Sequence, residues 1–142
     1  MDRKVVHIVG TGTIGEPLIG ILCEQKSNLG IDEITFHKHS PLTKDAPKIK
    51  NLISKGARLS VLEDRVEAFK EIGLDPEFTM DEAIARSSVV IDCTPSGHGH
   101  KNKEGFYNKY KDKVKGFLAQ GSENGFGKKY ARGINDHVIN SE

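Results

Sequence analysis

Short apolar runs alternate with helical apolar stripes along most of the chain. The first run, residues 4–9, is rich in β-branched residues and stops at Gly10. After it, apolar residues recur at helical spacing: Ile14, Leu18, Ile21 and Leu22. Because β-branched runs favour strands and a three- or four-residue apolar spacing favours an amphipathic helix, this segment predicts a strand, a tight turn and a helix.

The alternation continues through the middle of the chain. Residues 31–36 predict a second strand, followed by a loop and a helix whose inner face carries Ala46, Ile49 and Ile53. Residues 57–62 predict a third strand. A further helix is indicated by an apolar stripe that Gly73 ends, made of Leu62, Val66, Phe69 and Ile72.

The pattern is completed by two helices and two strands. The sequence TMDE at 79–82 has the form of a capping box, which predicts a short helix, Met80–Ala85. Residues 88–93 are nearly all apolar, as in a strand buried on both faces of a parallel sheet. Residues 101–111 predict a lysine-rich helix, and residues 114–119 predict a last strand. This order indicates one α/β domain with a Rossmann-like, doubly wound and mostly parallel sheet flanked by helices.

Three glycines at GxGxxG spacing fill the turn between the first strand and the first helix. In a dinucleotide-binding fold, Gly10 permits the tight turn, Gly12 lets the backbone approach a pyrophosphate, and Gly15 lets the helix pack closely on the strand. The helix N-terminus, with Thr13 and Ile14, then offers free N–H groups and a positive dipole end to the phosphates. The alternative is a glycine turn with no ligand, but the preceding strand and following helix favour the dinucleotide site.

The residues after the second strand bear on the choice of cofactor. A site for NAD typically has Asp or Glu here, about 20 residues beyond the glycines, to accept hydrogen bonds from the ribose 2′-hydroxyl. This chain has His37, Lys38, His39 and Ser40 instead. With no carboxylate present and an ammonium group available for a 2′-phosphate, the sequence favours NADP over NAD and places Lys38 and His39 beside the adenosine ribose. The alternative is a solvated lysine in a surface loop.

Two longer motifs lie in the second half of the chain, DCTPSGHGHKNKEGFY beginning at Asp92 and QGSE beginning at Gln120. Together with GTGTIG, HKHSP, KGARLSV and RVEAFKEIGL, they resemble the N-terminal NAD(P)-binding half of the archaeal-type, or type II, phosphorylating glyceraldehyde-3-phosphate dehydrogenases. The resemblance covers most of the chain, and the long pattern DCTPxGxGxKNK is its most specific part.

The resemblance implies a cofactor site, an activity and an assembly. It adds residues of the two later motifs to the cofactor cleft: Thr94, Pro95, Gly97, Gln120, Gly121 and Ser122. Members of the family prefer NADP or use both cofactors, form homotetramers, and oxidise glyceraldehyde 3-phosphate through a cysteine thioester that phosphate resolves. Their nucleophilic cysteine and base histidine lie beyond the positions that correspond to residue 142. Residues 1–142 are therefore expected to form an NAD(P)-binding domain without catalytic residues.

Composition and charge narrow the classes of partner. The chain has 21 Lys+Arg against 20 Asp+Glu, a net charge of +1, which gives no overall attraction to nucleic acid or to an anionic membrane. Cys23 and Cys93 do not suggest a disulfide framework, and the N-terminus lacks the apolar length of a signal peptide. We therefore expect a cytoplasmic protein whose partner is a small-molecule substrate, with no nucleic acid and no membrane.

Other chemical signals in the sequence are weaker. Cys93 could act as a nucleophile beside His98, but its place at the end of a buried strand favours a structural cysteine. The two His-x-His pairs, at 37–39 and 98–100, supply too few ligands for a metal site. The lysines and aromatic residues of 101–115 favour a helix with a solvated face over a nucleic-acid surface. A second class of function remains open, since a Rossmann unit can bind or sense a dinucleotide without catalysis.

Overall fold

The computed structural model describes residues 3–94, 102–103 and 105–119 of the chain. Within them the strands are β1 (Val5–Val9), β2 (Glu33–His37), β3 (Arg58–Val61), β4 (Phe78–Thr79), β5 (Val89–Asp92) and β6 (Gly116–Ala119). All are parallel and pair in the order β4-β3-β2-β1-β5-β6. The chain builds outward from β1 to β4 and then returns to place β5 on the other side of β1. The predicted Rossmann-like, doubly wound α/β sheet is confirmed.

Helices connect the strands in the same part of the chain. They are α1 (Gly15–Gln25), α2 (Ala46–Ser54), α3 (Val66–Glu71) and α4 (Met80–Ala85), with 3-10 turns at Thr43–Asp45, Glu63–Arg65 and Tyr107–Tyr110. The predicted capping box begins α4. The Thr79 hydroxyl accepts from the Glu82 N–H at 3.2 Å, and the Glu82 carboxylate accepts from the Thr79 N–H at 3.1 Å. These two bonds satisfy N–H groups that the start of a helix leaves unpaired.

One face of the sheet is apolar and packs beneath α1 and α2. Ile8, Phe36 and Leu59 lie on this face, in one buried cluster with Ile49 and Leu52 of α2. Ile53 was predicted to share one face with Ala46 and Ile49, and residues four apart are indeed neighbours on a helix surface, but Ile53 is 37% exposed. Leu52, which was not predicted, is 1% exposed and contributes to the buried side of α2 together with Ala46 and Ile49.

The structure adds one strand and corrects two further predictions. The strand β4 was not predicted, since it has only two residues and the second, Thr79, is already the first residue of the capping box that dominates the local pattern. In β5 only alternate side chains are fully buried, so this strand is not buried on both faces throughout. The predicted helix over residues 101–111 includes a 3-10 turn at Tyr107–Tyr110. In such a turn residues three apart lie on the same side, and both tyrosine hydroxyls reach carboxylates, those of Asp92 and Asp81.

The opposite face of β1 and β2 carries buried polar side chains that the apolar pattern did not reveal. His7 and Thr35 are both 0% exposed, and the His7 Nδ1 lies 2.7 Å from the Thr35 Oγ1. Burial, with His37 and Arg86 nearby, lowers the pKa of His7 to about 3. Burial, with His39 and Arg65 nearby, also lowers the pKa of His37 to about 3. Both buried histidines are therefore neutral in the folded protein at neutral pH.

Acid should destabilise this fold well before its carboxylates are protonated. In the unfolded chain a histidine has a pKa of about 6.5, so between that pH and about 3 the unfolded state binds the proton and the folded state does not. The stabilisation is present above pH 6.5 and is lost as the pH falls, by about 1.4 kcal/mol per pH unit for each histidine. Urea unfolding at pH 7, 6 and 5 measures this loss, and His7→Gln should remove one of the two contributions. An unfolding free energy that stays constant from pH 7 to pH 5 would contradict the burial of neutral histidines.

Candidate functional site

The turn between β1 and α1 is as tight as the glycine pattern predicts. Gly10 has φ +104°, a conformation that residues with a side chain rarely adopt, and a Cβ there would lie 3.1 Å from the Cys93 carbonyl carbon. A Cβ on Gly15 would lie 2.0 Å from the Gly10 carbonyl oxygen. Neither glycine can be replaced without moving backbone, so both are required by the packing of α1 against the strands.

Gly12 differs from these two glycines. A Cβ at this position would have no atom of residues 3–94, 102–103 or 105–119 within 4 Å, and the φ of Gly12 is not positive. In the described ranges, moreover, the backbone N–H groups of Gly12, Thr13 and Ile14 donate to no protein group. These donors lie at the N-terminus of the eleven-residue helix α1, where the helix dipole favours an anion. The loop therefore offers an open, donor-rich backbone surface that the fold itself does not use.

A cleft of about 670 Å³ opens over this loop at the carboxyl edge of the sheet. It brings together most of the predicted cofactor residues that the structure describes: Gly10, Gly12, Thr13, Ile14, Lys38, His39 and Thr94. Gly15 lies behind Gly10 and does not line it. The predicted residues Pro95, Gly97, Gln120, Gly121 and Ser122 lie outside the described residues. The cleft lies where the strand order reverses between β1 and β5, which is where open α/β sheets bind their ligands.

A buried carboxylate organises the β5 side of the cleft. Asp92 is 1% exposed at the end of β5 and accepts hydrogen bonds from the Thr94 N–H at 2.9 Å and from the Thr94 hydroxyl. It also accepts from the Asn102 amide at 3.0 Å and from the Tyr107 hydroxyl at 2.5 Å. Burial and the negative charge of Asp92 raise the pKa of the Tyr107 phenol, so the phenol keeps its proton and donates it. Asp92 thus fixes Thr94 and Asn102, two residues that line the cleft.

The side chain of Lys38 is mostly buried and is paired with a carboxylate. The sequence had suggested either a solvated lysine or a lysine with no carboxylate beside it, and both expectations are corrected. It is 15% exposed, and its Nζ lies 3.0 Å from Asp45 Oδ2. The alternative of a solvated lysine is therefore wrong. A carboxylate is present beside the predicted ribose position after all, supplied by the 3-10 turn before α2 rather than by the end of β2.

A second lysine, Lys48 of α2, lines the cleft without having been predicted. Its Nζ donates to the Thr11 carbonyl oxygen at 2.9 Å and lies 3.9 Å from carboxylate oxygens of Asp45 and Glu16. The spacing of Asp45 and Lys48 is i, i+3, which a helix starting at Ala46 brings to one side, so this pair was open to prediction from the sequence. The contact between Lys48 and Thr11 was not, because it joins segments 37 residues apart.

Cys93 lines the cleft as a protonated thiol. It is 7% exposed, and burial, together with the neighbouring Asp92 charge, raises its pKa to about 11. A thiol with so high a pKa contains little thiolate at neutral pH and is a poor nucleophile. This agrees with a structural role for Cys93.

The described part of the chain offers no metal site and no helix able to span a membrane. It holds no group of three or more His, Cys, Asp or Glu side chains placed to bind a metal ion. None of the helices found there has the length and apolar character of a membrane span.

The chain is similar in sequence to known archaeal proteins over most of its length. The chain is 35% identical over 120 residues to glyceraldehyde-3-phosphate dehydrogenase of Pyrobaculum neutrophilum, covering 83% of this chain and 31% of the relative. It is 42% identical over 109 residues to the enzyme of the same name from Methanopyrus kandleri, covering 73% of this chain and 29% of the relative. The Methanobacterium bryantii protein of that name is 36% identical over 107 residues, or 75% of this chain and 30% of the relative. No protein-family model matches.

Each of these matches covers between 73% and 83% of the chain. The chain matches the N-terminal domain of the archaeal-type glyceraldehyde-3-phosphate dehydrogenases. It spans less than a third of the length of the Pyrobaculum relative. The resemblance inferred from the motifs is confirmed.

In this domain, the hydrogen bond from Tyr107 to Asp92 should be important for stability. Tyr107→Phe removes the phenol hydroxyl and leaves a buried carboxylate short of one donor, at a cost of about 1.5–3 kcal/mol. Urea unfolding of the variant measures the cost. Tyr110→Phe is the matched control, since its hydroxyl donates to the exposed Asp81 at 2.8 Å and its loss should change the unfolding free energy by about 0.5 kcal/mol or less. Equal losses in the two variants would mean that Asp92 does not depend on this bond.

Proposed function

We propose that the cleft binds a nicotinamide dinucleotide, NADP in preference to NAD, and that residues 1–142 form the cofactor-binding domain of a glyceraldehyde-3-phosphate dehydrogenase. The observation that carries the proposal is Gly12. Packing explains Gly10 and Gly15, but among the described residues no atom lies within 4 Å of a Cβ placed on Gly12, and the N–H groups of residues 12–14 are unused there. A ligand that needs close approach to backbone donors accounts for this glycine, and a pyrophosphate is such a ligand.

The remainder of the cleft fits the two ends of a dinucleotide. The pyrophosphate belongs at Gly12, Thr13 and Ile14, where the dipole of α1 and the backbone donors act together. Lys38 and His39 border the cleft on the β2 side and suit the adenosine ribose and its 2′-phosphate. Thr94, held by Asp92, borders it on the β5 side, toward the nicotinamide. A bound nicotinamide would accept a hydride from the substrate.

The chemical groups for aldehyde oxidation would come from residues outside this chain. Thioester formation needs a thiolate, a base and donors for the developing oxyanion. Cys93 is unsuited to be the thiolate because burial raises its pKa to about 11. The relatives named glyceraldehyde-3-phosphate dehydrogenase are more than three times as long as the matched segment. We infer a cytoplasmic, homotetrameric full-length enzyme, with this domain orienting the dinucleotide.

Replacing Gly12 tests the pyrophosphate position. Gly12→Val should fold like the wild type, because its Cβ enters open space, and should lose dinucleotide binding, because the side chain occupies the place of the pyrophosphate. Isothermal titration calorimetry measures binding, and circular dichroism reports the fold. Gly116→Val is the matched control, since Gly116 also has nothing within 4 Å of an added Cβ but begins β6 at the opposite edge of the sheet. Wild-type affinity in Gly12→Val would place the phosphates elsewhere.

Replacing Lys38 tests the preference for NADP. Lys38→Met keeps the length of the side chain and removes the ammonium group, so it should weaken NADP binding roughly tenfold, the effect of about 1.4 kcal/mol for one charge-assisted hydrogen bond. Binding of NAD, which has no 2′-phosphate, should change little. Calorimetric titration with both cofactors measures the ratio of the two dissociation constants. If Lys38→Met weakens the binding of NADP and of NAD by the same factor, Lys38 does not recognise the 2′-phosphate.

A further inference from the structure

We propose that Asp45 determines how strongly this cleft distinguishes NADP from NAD, by holding the Lys38 ammonium and opposing the 2′-phosphate. The inference rests on the proposed function, since it concerns the same cleft. It assigns a role to a residue that does not line the cleft and that lies outside the glycine motif.

The ion pair places Asp45 behind the residue that would meet the phosphate. Asp45 Oδ2 lies 3.0 Å from Lys38 Nζ, and the two side chains are 17% and 15% exposed. Lys38 lines the cleft and Asp45 does not, so Asp45 acts on a ligand through Lys38. The hydrogen bond from Lys38 is the main cause that lowers the pKa of Asp45, which keeps this carboxylate ionised at neutral pH. A full negative charge therefore lies next to the Lys38 ammonium, on the side away from the cleft.

The second oxygen of Asp45 extends the interaction to the other lysine of the cleft. Asp45 Oδ1 lies 3.9 Å from Lys48 Nζ, which also lies 3.9 Å from Glu16 Oε2. Two ammonium groups at this end of the cleft thus face two carboxylates. The charges are balanced, although the sequence around Lys38 suggested a basic site. An anion arriving here competes with carboxylates for ammonium groups that are already engaged.

The backbone beside this ion pair is held on its other side. Arg65 Nη1 donates to the His39 carbonyl oxygen at 3.0 Å, and the Lys38 N–H donates to the Ser60 carbonyl oxygen at 3.2 Å. The segment 38–39 is therefore attached to β3 and to the turn after it. Because the backbone is fixed in this way, the balance between the two cofactors depends on side-chain charges, and Asp45 is the carboxylate nearest the Lys38 ammonium among the described ion pairs.

The two cofactors should respond differently to this carboxylate. The 2′-phosphate of NADP carries a charge near −2, so it is repelled by Asp45 and must share Lys38 with it. The 2′-hydroxyl of NAD is neutral and can bind without disturbing the pair. Asp45 therefore weakens NADP binding and leaves NAD binding nearly unchanged. The preference for NADP over NAD is therefore weaker than it would be if Lys38 had no carboxylate beside it.

The test is calorimetric titration of the full chain with NADP and with NAD, for the wild type and Asp45→Asn. The substitution keeps the shape of the side chain and removes its charge. NADP should bind roughly fivefold more tightly to the variant, since one like charge is removed and one ammonium donor is released, while NAD should change less than twofold. Asp75→Asn is the matched control, because Asp75 is exposed, has no described partner and precedes β4 at the amino edge of the sheet. It should leave both affinities unchanged.

A second pair of variants tests whether Asp45 acts through Lys38. In a Lys38→Met background no ammonium group remains to be released, so Asp45→Asn should give a smaller gain in NADP affinity than it gives with Lys38 present, from the removal of the like charge alone. An undiminished gain in that background would overturn the proposal, as would weaker NADP binding or an unchanged NADP-to-NAD ratio in Asp45→Asn alone. Each of these outcomes would overturn the role of Asp45 but would not contradict the proposal that the cleft binds a dinucleotide. If the wild-type chain binds neither cofactor, the proposed function and this inference fall together.

Discussion

The close approach of α1 to the end of β1 is the constraint on which the cleft depends. A Cβ on Gly15 would lie only 2.0 Å from the Gly10 carbonyl oxygen, and Gly10 itself has a positive φ. This contact brings the N-terminus of α1 to the carboxyl edge of the sheet, between β2 and β5. If the helix were displaced by a side chain at either glycine, the free donors at residues 12–14 would no longer face the space between these strands. The geometry of the cleft follows from two missing Cβ atoms.

A buried carboxylate and an ion pair then define the two sides of the cleft. On the β5 side, Asp92 accepts hydrogen bonds from two neighbouring groups of Thr94 and from the side chains of Asn102 and Tyr107. An ionised carboxylate that is 1% exposed needs such a set of donors, since burying an unpaired charge is costly. On the β2 side, the pair of Lys38 and Asp45 is partly exposed and less constrained. On the β5 side, Thr94 and Asn102 are therefore held in place by their hydrogen bonds to Asp92. On the β2 side, a bound ligand can change the pairing of Lys38 with Asp45.

The charge balance around Lys38 changes how the cofactor preference is understood. A lysine after β2 in place of an acidic residue is an argument for NADP when the sequence is considered alone. The fold adds Asp45 and Lys48 from the following turn and helix. If the cleft binds these cofactors as proposed, discrimination between them depends on several charges at distances of 3–4 Å, and not on the identity of one side chain.

The sequence by itself determined the order of five of the six described strands and of helices α1 to α4, together with the capping box at Thr79 and the glycine turn, because each of these depends on residues close together in the chain. It also placed Lys38 at the cleft, since the end of β2 in a doubly wound sheet lies beside the end of β1. Only the tertiary structure decided the buried pair of His7 and Thr35, the donors around Asp92 and the contact of Lys48 with Thr11. These interactions join residues of different elements, and their distances are set by how strands register and helices pack. Local pattern carries no information about such distances, so it predicted the cleft and its glycine turn but not the charges that surround it.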